Sequence, residues 1–196
     1  MKCKVLLILI AAVLLFGGCS KNRNKENVEP VMTVVLGMDG IPQPEWVNND
    51  IVSAQVLYVR GYGKMSDRQI SIKRATAEAK SEIAEWVSTK VKETLVNYIT
   101  DTGNRDNQQA LDAIEVISGQ VAEATLNGVV AEDLWADAEG GISILFSLSI
   151  SNVEKAFAPA AEAVAEAFMG IEKFEVVATK MKDDFSKLIS ESDIGE

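Results

Sequence analysis

Between Ile142 and Ile150 apolar residues alternate with serine, and this constrains the architecture more than any other stretch of the chain. A period of two places Ile142, Ile144, Phe146, Leu148 and Ile150 on one face of a β-strand, with serines in most of the alternate places. Upstream, Gly128 to Ala138 carries Val130, Leu134 and Trp135, and Glu139-Gly140-Gly141 turns the chain back. Together they predict a β-hairpin with one buried face. That face needs a covering layer, and the rest of the sequence supplies helices for it.

The longest of these follows Lys64-Met65-Ser66-Asp67, with Ser66 or Asp67 as its N-cap. Ile72, Ala75, Ala79, Ile83, Trp86, Val91, Leu95 and Tyr98 recur at steps of three to five and give one apolar stripe. Ala75 and Ala79 are small enough to let the helix approach a sheet closely. Lys73, Arg74, Glu78, Lys80, Glu82 and Glu85 form the solvated side. A polar loop, Thr100 to Asn107, precedes a second helix from about Gln108 to Ala124, with Leu111, Ile114, Ile117 and Val121 inward. Asp101, Asn104 and Asp106 in that loop lack the central Gly and closing Glu of a calcium-binding hand. The last segment is also helical: Val153, Phe157, Ala161, Val164, Phe168, Ile171, Ala178, Met181, Phe185 and Leu188 keep mostly helical spacing. Pro159 occupies a first turn or kinks it, and Gly170 marks a second bend. Its stripe either meets a second copy, giving a homodimer through the C-terminal helix, or folds back across its own domain.

Ahead of the long helix, Val56 to Gly63 (Val-Leu-Tyr-Val-Arg-Gly-Tyr-Gly) reads as a strand ending in a Gly-bracketed turn. Gly61-Tyr62-Gly63 lacks the Gly-Lys-Ser/Thr ending of a phosphate-binding loop. Val31 to Leu36 is a short β-branched run, and Gly37-Met38-Asp39-Gly40 should turn. The prolines of Ile41-Pro42-Gln43-Pro44 hold extended backbone, and Trp46 is expected as a hydrophobic plug at the domain's entry, with ligand stacking as the alternative.

The N-terminus has the parts of an export signal. Lys2 and Lys4 precede an unbroken apolar run, Val5 to Phe16, which is shorter than the roughly 20 residues of a spanning helix. Leu15-Phe16-Gly17-Gly18-Cys19 then places small residues immediately before a cysteine. This predicts a lipoprotein signal peptide over 1–18, cleavage after Gly18, and lipid (diacylglycerol and a fatty acyl chain such as palmitate) on Cys19. Phe16 stands where the usual lipobox carries leucine. Acyl chains on one residue anchor a protein stably. Residues 19–30 would be the lipidated tether, polar and without periodicity. Ser20 after the cysteine, in place of aspartate, points to the outer membrane.

Composition removes whole classes of chemistry. With no histidine, Ser-His-Asp and Cys-His catalysis and His-bearing zinc sites are excluded. Of the two cysteines, Cys3 lies in the leader and Cys19 is the proposed lipid site, so the domain has no thiol for a disulfide, nucleophile or soft metal. After cleavage 17 basic side chains face 29 acidic ones, a net charge of −12. Nucleic acid and anionic head groups are poor partners for such a surface. No cofactor or metal is expected.

Several short motifs occur in a telling order: Pro44-Glu45-Trp46-Val47, then Tyr58-Val59-Arg60-Gly61-Tyr62-Gly63, then Ala75, Ala77 and Ala79, then Leu134-Trp135 before the hairpin turn. Over roughly Pro42 to Ile150 the chain resembles the Lpp-twenty family of small bacterial lipoproteins. The resemblance implies an α+β layer, helices on an antiparallel sheet, related to the amino-terminal domain of a flagellar assembly protein. It also implies a surface or outer-membrane lipoprotein without established catalysis. The long helix after Ile150 departs from the family's pattern.

The expected fold is therefore α+β: a small antiparallel sheet packed by long amphipathic helices over 31–152, with a further C-terminal helix over 153–196. The expected function is a lipid-anchored, non-enzymatic envelope module that interacts or assembles with a protein partner of unknown identity. Trp46, Tyr62, Trp86 and Trp135 are its candidate interaction or packing residues. The alternative is a carrier of a small apolar ligand or lipid in a cavity lined by Ile144, Phe146, Trp86 and Ile83. A carboxylate-based glycosidase needs two acids across a cleft, whereas Glu132 and Asp133 are neighbours expected on opposite faces of a strand.

Overall fold

A computed structural model of the chain describes residues 34–101, 108–169 and 174–191. The order of elements is strand β1 (Val56–Gly63), helix α1 (Arg68–Asp101), helix α2 (Gln108–Thr125), strands β2 (Val130–Ala136) and β3 (Ile142–Ser149), and helices α3 (Ile150–Met169) and α4 (Phe174–Glu191). The fold is α+β. The strands form one antiparallel sheet in the order β1-β3-β2, so the serine-alternating strand is the central one.

Register divides the sheet into two faces. Leu57, Val59, Gly61 and Gly63 of β1 lie opposite Leu148, Phe146, Ile144 and Ile142 of β3, and this face meets α1. The glycines do not form the turn expected of them; both are strand residues. A Cβ on Gly61 would stand 1.9 Å from the Ala75 carbonyl oxygen, and one on Gly63 would stand 2.2 Å from that of Ser71. Helix backbone thus rests on strand backbone, which only glycine permits. Ala75 and Ala79 provide the close approach from the helix side.

Helix α1 starts where Asp67 caps it: the Asp67 carboxylate accepts from the backbone N–H of Gln69 (2.8 Å) and Ile70 (3.1 Å). Its fully buried residues fall at every fourth position: Ser71, Ala75, Ala79, Ile83, Val87, Val91, Leu95 and Ile99. Each such step overshoots a full turn by about 40°. The buried line therefore winds round the helix, facing the sheet first and then α2 and α4. Ile72, Trp86 and Tyr98, placed on the stripe from spacing, flank this line half-buried.

The C-terminal region holds the helices α3 and α4. Helix α4 packs against α3 and α1, and Phe157 stacks on Phe185 with ring centroids 4.1 Å apart. Ala161, Val164, Ala178, Met181, Phe185 and Ile189 are buried within the chain's own core. The buried stripe residues among those described thus pack within its own domain, whereas Ile171 and the Phe168 side chain lie outside the described residues. The core is continuous from β1 to α4, so helices α3 and α4 share it with the sheet. Pro159 lies inside α3, which begins at Ile150, three residues earlier than its spacing indicated. Gly170 and the loop residues Asn104 and Asp106 lie outside the described residues.

The hairpin also departs from expectation: β3 is buried on both faces. Ser143, Leu145 and Ser147 are buried, as Ile144 and Phe146 are. Along the second face runs a strap, residues 34–50, joined to the sheet at Met38, Ile41, Trp46 and Val47.

Candidate functional site

The strap is built from a turn and an anchor. Residues Gly37 to Ile41 close a tight loop, with Gly37 N–H donating to Ile41 O (2.9 Å) and Gly40, at φ +70°, donating to Gly37 O (3.0 Å). Leu36 bridges Pro42, and Gln43 N–H donates to Val35 O (2.8 Å). The loop is pinned to the hairpin by Met38 N–H on Ala136 O (3.1 Å) and by the Trp135 indole N–H on Ile41 O (3.2 Å). Trp135 is consequently buried, but under the strap and outside the helix-side core.

Trp46 sits in a short 3-10 turn, Glu45–Val47, after Pro44 in extended backbone. It is half-buried and its indole donates to Asp133 Oδ2 at 2.8 Å. Arg60, on the same face of β1, donates to the carbonyls of Trp46 and Val47 and pairs with Asp50 at 3.0 Å. Trp46 was among the candidate residues and Arg60 was not, although Arg60 stands in the Tyr58 to Gly63 motif as a charge inside an apolar strand.

Pairing of β2 with β3 slips at Glu132: Ala131 lies opposite Phe146 and Asp133 opposite Leu145. This β-bulge inserts one residue and overturns the expectation that Glu132 and Asp133 point apart. Both carboxylates reach the strap face, where Glu132 accepts from the Ser147 hydroxyl and Asp133 from Trp46. Asp133 Oδ1 also accepts from Leu134 N–H at 2.8 Å.

Tyr62 is 45 % exposed and donates its hydroxyl to Asp137 Oδ2 at 3.0 Å. Burial and that bond raise the Tyr62 pKa. At Asp137 burial opposes ionisation, yet the backbone N–H groups of Gly141 and Glu139, then Tyr62, hold the carboxyl below its ordinary range. Lys64 pairs with Glu139 beside them. Trp86 packs half-buried against the helix-side core. The four aromatic candidates are therefore not one site: Trp46 and Trp135 share the strap, Tyr62 locks the hairpin, and Trp86 lies on α1.

Two concavities flank the sheet. A polar notch of about 110 Å³ at the β1 edge is lined by Trp46, Asp50, Tyr58, Arg60 and Glu82, among others. Burial, then the neighbouring Glu78, raises the Glu82 pKa, and Arg60 offsets part of the rise. On the opposite edge an open groove of about 630 Å³ runs between α1 and β2. Ile72, Thr76 and Lys80 form one wall, Ala131 and Leu134 the other, and Ile144 and Phe146 line it too. Ile83, named with those two as a cavity lining, is fully buried in the core instead.

Among the described residues no cluster of three or more acidic side chains is arranged to hold a metal ion, and no helix is long and apolar enough to cross a membrane. Gly18 and Cys19 lie outside the described residues. Comparison with protein families, with curated proteins and with solved structures gives no significant match.

Proposed function

We propose that the chain is a lipid-anchored lipoprotein of the bacterial envelope, tethered through Cys19, whose folded domain works as a non-enzymatic interaction or assembly module. The observation that carries the reading is the N-terminal series: two lysines, the apolar run Val5 to Phe16, then Gly17-Gly18-Cys19. The resemblance to the Lpp-twenty family and Ser20 favour the outer membrane. The surface offered to a partner is the groove between α1 and β2, where an exposed edge strand lies beside an apolar floor. Extended peptide segments dock on such edges through backbone hydrogen bonds and alternate side chains.

A photo-crosslinking residue at Leu134 or Ala131, irradiated in intact cells, tests this. A defined protein adduct at those sites, absent with the same residue at Val176 on α4, is the expected result. The second reading is a carrier of an apolar ligand, which the Ile72, Ile144 and Phe146 lining favours. Lipid co-purifying with the protein, without any protein adduct, transfers the groove to that reading.

A further inference from the structure

Five large apolar side chains of the strap loop stand in water: Val34 is 66 % exposed, Val35 52 %, Leu36 51 %, Met38 55 % and Ile41 56 %. A loose apolar loop would be unremarkable, but the backbone here is bonded at each end and pinned to Ala136 and Trp135. The fold thus holds these side chains outward in one fixed arrangement. Several exposed apolar side chains gathered on one pinned loop mark a contact with another phase or molecule.

We infer that this loop rests in the interfacial layer of the bilayer that holds the Cys19 lipid, fixing the orientation of the domain on the membrane. The inference depends on the lipid-anchor reading above. Val34 follows Cys19 by 15 residues, a length that spans at most roughly 50 Å in any conformation. The loop is the first described part of the chain after Cys19, so of the described residues it lies nearest the anchor along the covalent path. Its chemistry suits uncharged insertion. Residues 34–44 contain no basic side chain and one acidic one, Asp39, so zwitterionic lipid is the fitting surface and anionic lipid is not. The anchor supplies attachment; the loop supplies direction.

The sequence provides a clean probe, because Cys3 leaves with the leader and Cys19 is acylated. Met38→Cys and Ile41→Cys would each carry the one free thiol for an environment-sensitive fluorophore. Val116→Cys and Val176→Cys, isolated exposed positions on α2 and α4, serve as controls. Each acylated protein is placed in phosphatidylcholine vesicles with and without spin-labelled lipid, after its melting temperature is matched to the parent. The expected result is a blue shift and lipid-dependent quenching at 38 and 41, with neither at 116 and 176. Equal emission at all four positions overturns the inference. So does a shift at 38 that needs no lipid and grows with protein concentration, which assigns the loop to a second copy. Intact mass separates the two levels: an unacylated chain removes the anchor reading and this contact together, whereas an acylated chain with a silent label at 38 removes the contact alone.

Discussion

The indole N–H of Trp46 donates to Asp133 at 2.8 Å, joining the strap to the bulged edge strand across 87 residues of sequence. The bond exists because the bulge at Glu132 turns Asp133 onto the strap face. Trp46→Phe and Asp133→Ala should each cost about 1–2 kcal/mol in equilibrium denaturation. The double variant should show a coupling of about 1 kcal/mol. Strictly additive losses would mean that the strap and β2 are held independently.

Gly61 and Gly119 predict opposite outcomes for the same substitution. Gly61→Ala drives a Cβ into the Ala75 carbonyl, a backbone atom that cannot swing aside, and should destabilise the fold by about 3 kcal/mol or more. Gly119, inside α2, has open space around it, so Gly119→Ala should stabilise by about 0.5–1 kcal/mol. Urea midpoints of the two variants check both signs at once.

The Tyr98 hydroxyl is buried beside Thr94, Asn97 and Asp184 without a hydrogen-bond partner among the described residues, and burial raises its pKa. Removing an unsatisfied buried hydroxyl removes a desolvation cost. Tyr98→Phe should therefore raise stability by up to about 1 kcal/mol, read as a higher melting temperature. A loss would show that the hydroxyl is bonded in solution.

Glu82 gives a pH dependence of defined sign. Its folded carboxyl is raised by burial and by Glu78, so the folded state holds the proton more tightly than the unfolded one. Stability from this group falls as pH rises from the ordinary carboxylate range through the raised value. Glu82→Gln should gain a few tenths of a kcal/mol at neutral pH, a small effect because the side chain is largely exposed. The gain should vanish at about pH 3.5, below both values. Melting curves at the two pH values measure it.

Much of the scaffold was legible because local chemistry decided it. Val56 onward was recognised as a strand, although its last residues, Gly61 to Gly63, were read as a turn, and Asp67 was one of two caps considered. The hairpin turn was marked by Glu139-Gly140-Gly141, and Gly140 does take φ +87°. What escaped depends on pairing between distant segments. The bulge at Glu132 is a property of two strands in register, so no period-two pattern reveals it. Ser143 and Ser147 looked solvent-facing because serine is polar, yet they are small enough to lie under a strap. Gly61 and Gly63 carried a glycine signal that fits a turn as well as a close helix contact; only the position of Ala75 distinguishes them. At the candidate site, aromatic residues were noticed for their size, while Arg60 and Asp137, which organise them, had no comparable signal.

The lipid anchor depends on Cys19, and intact-mass measurement of the protein extracted from cell membranes decides whether it is there. The expected mature chain begins at Cys19 and carries the added mass of a diacylglycerol and an acyl chain, with Cys19→Ala left uncleaved and without that mass. A mature chain that starts elsewhere, has no lipid and stays in the soluble fraction would contradict it.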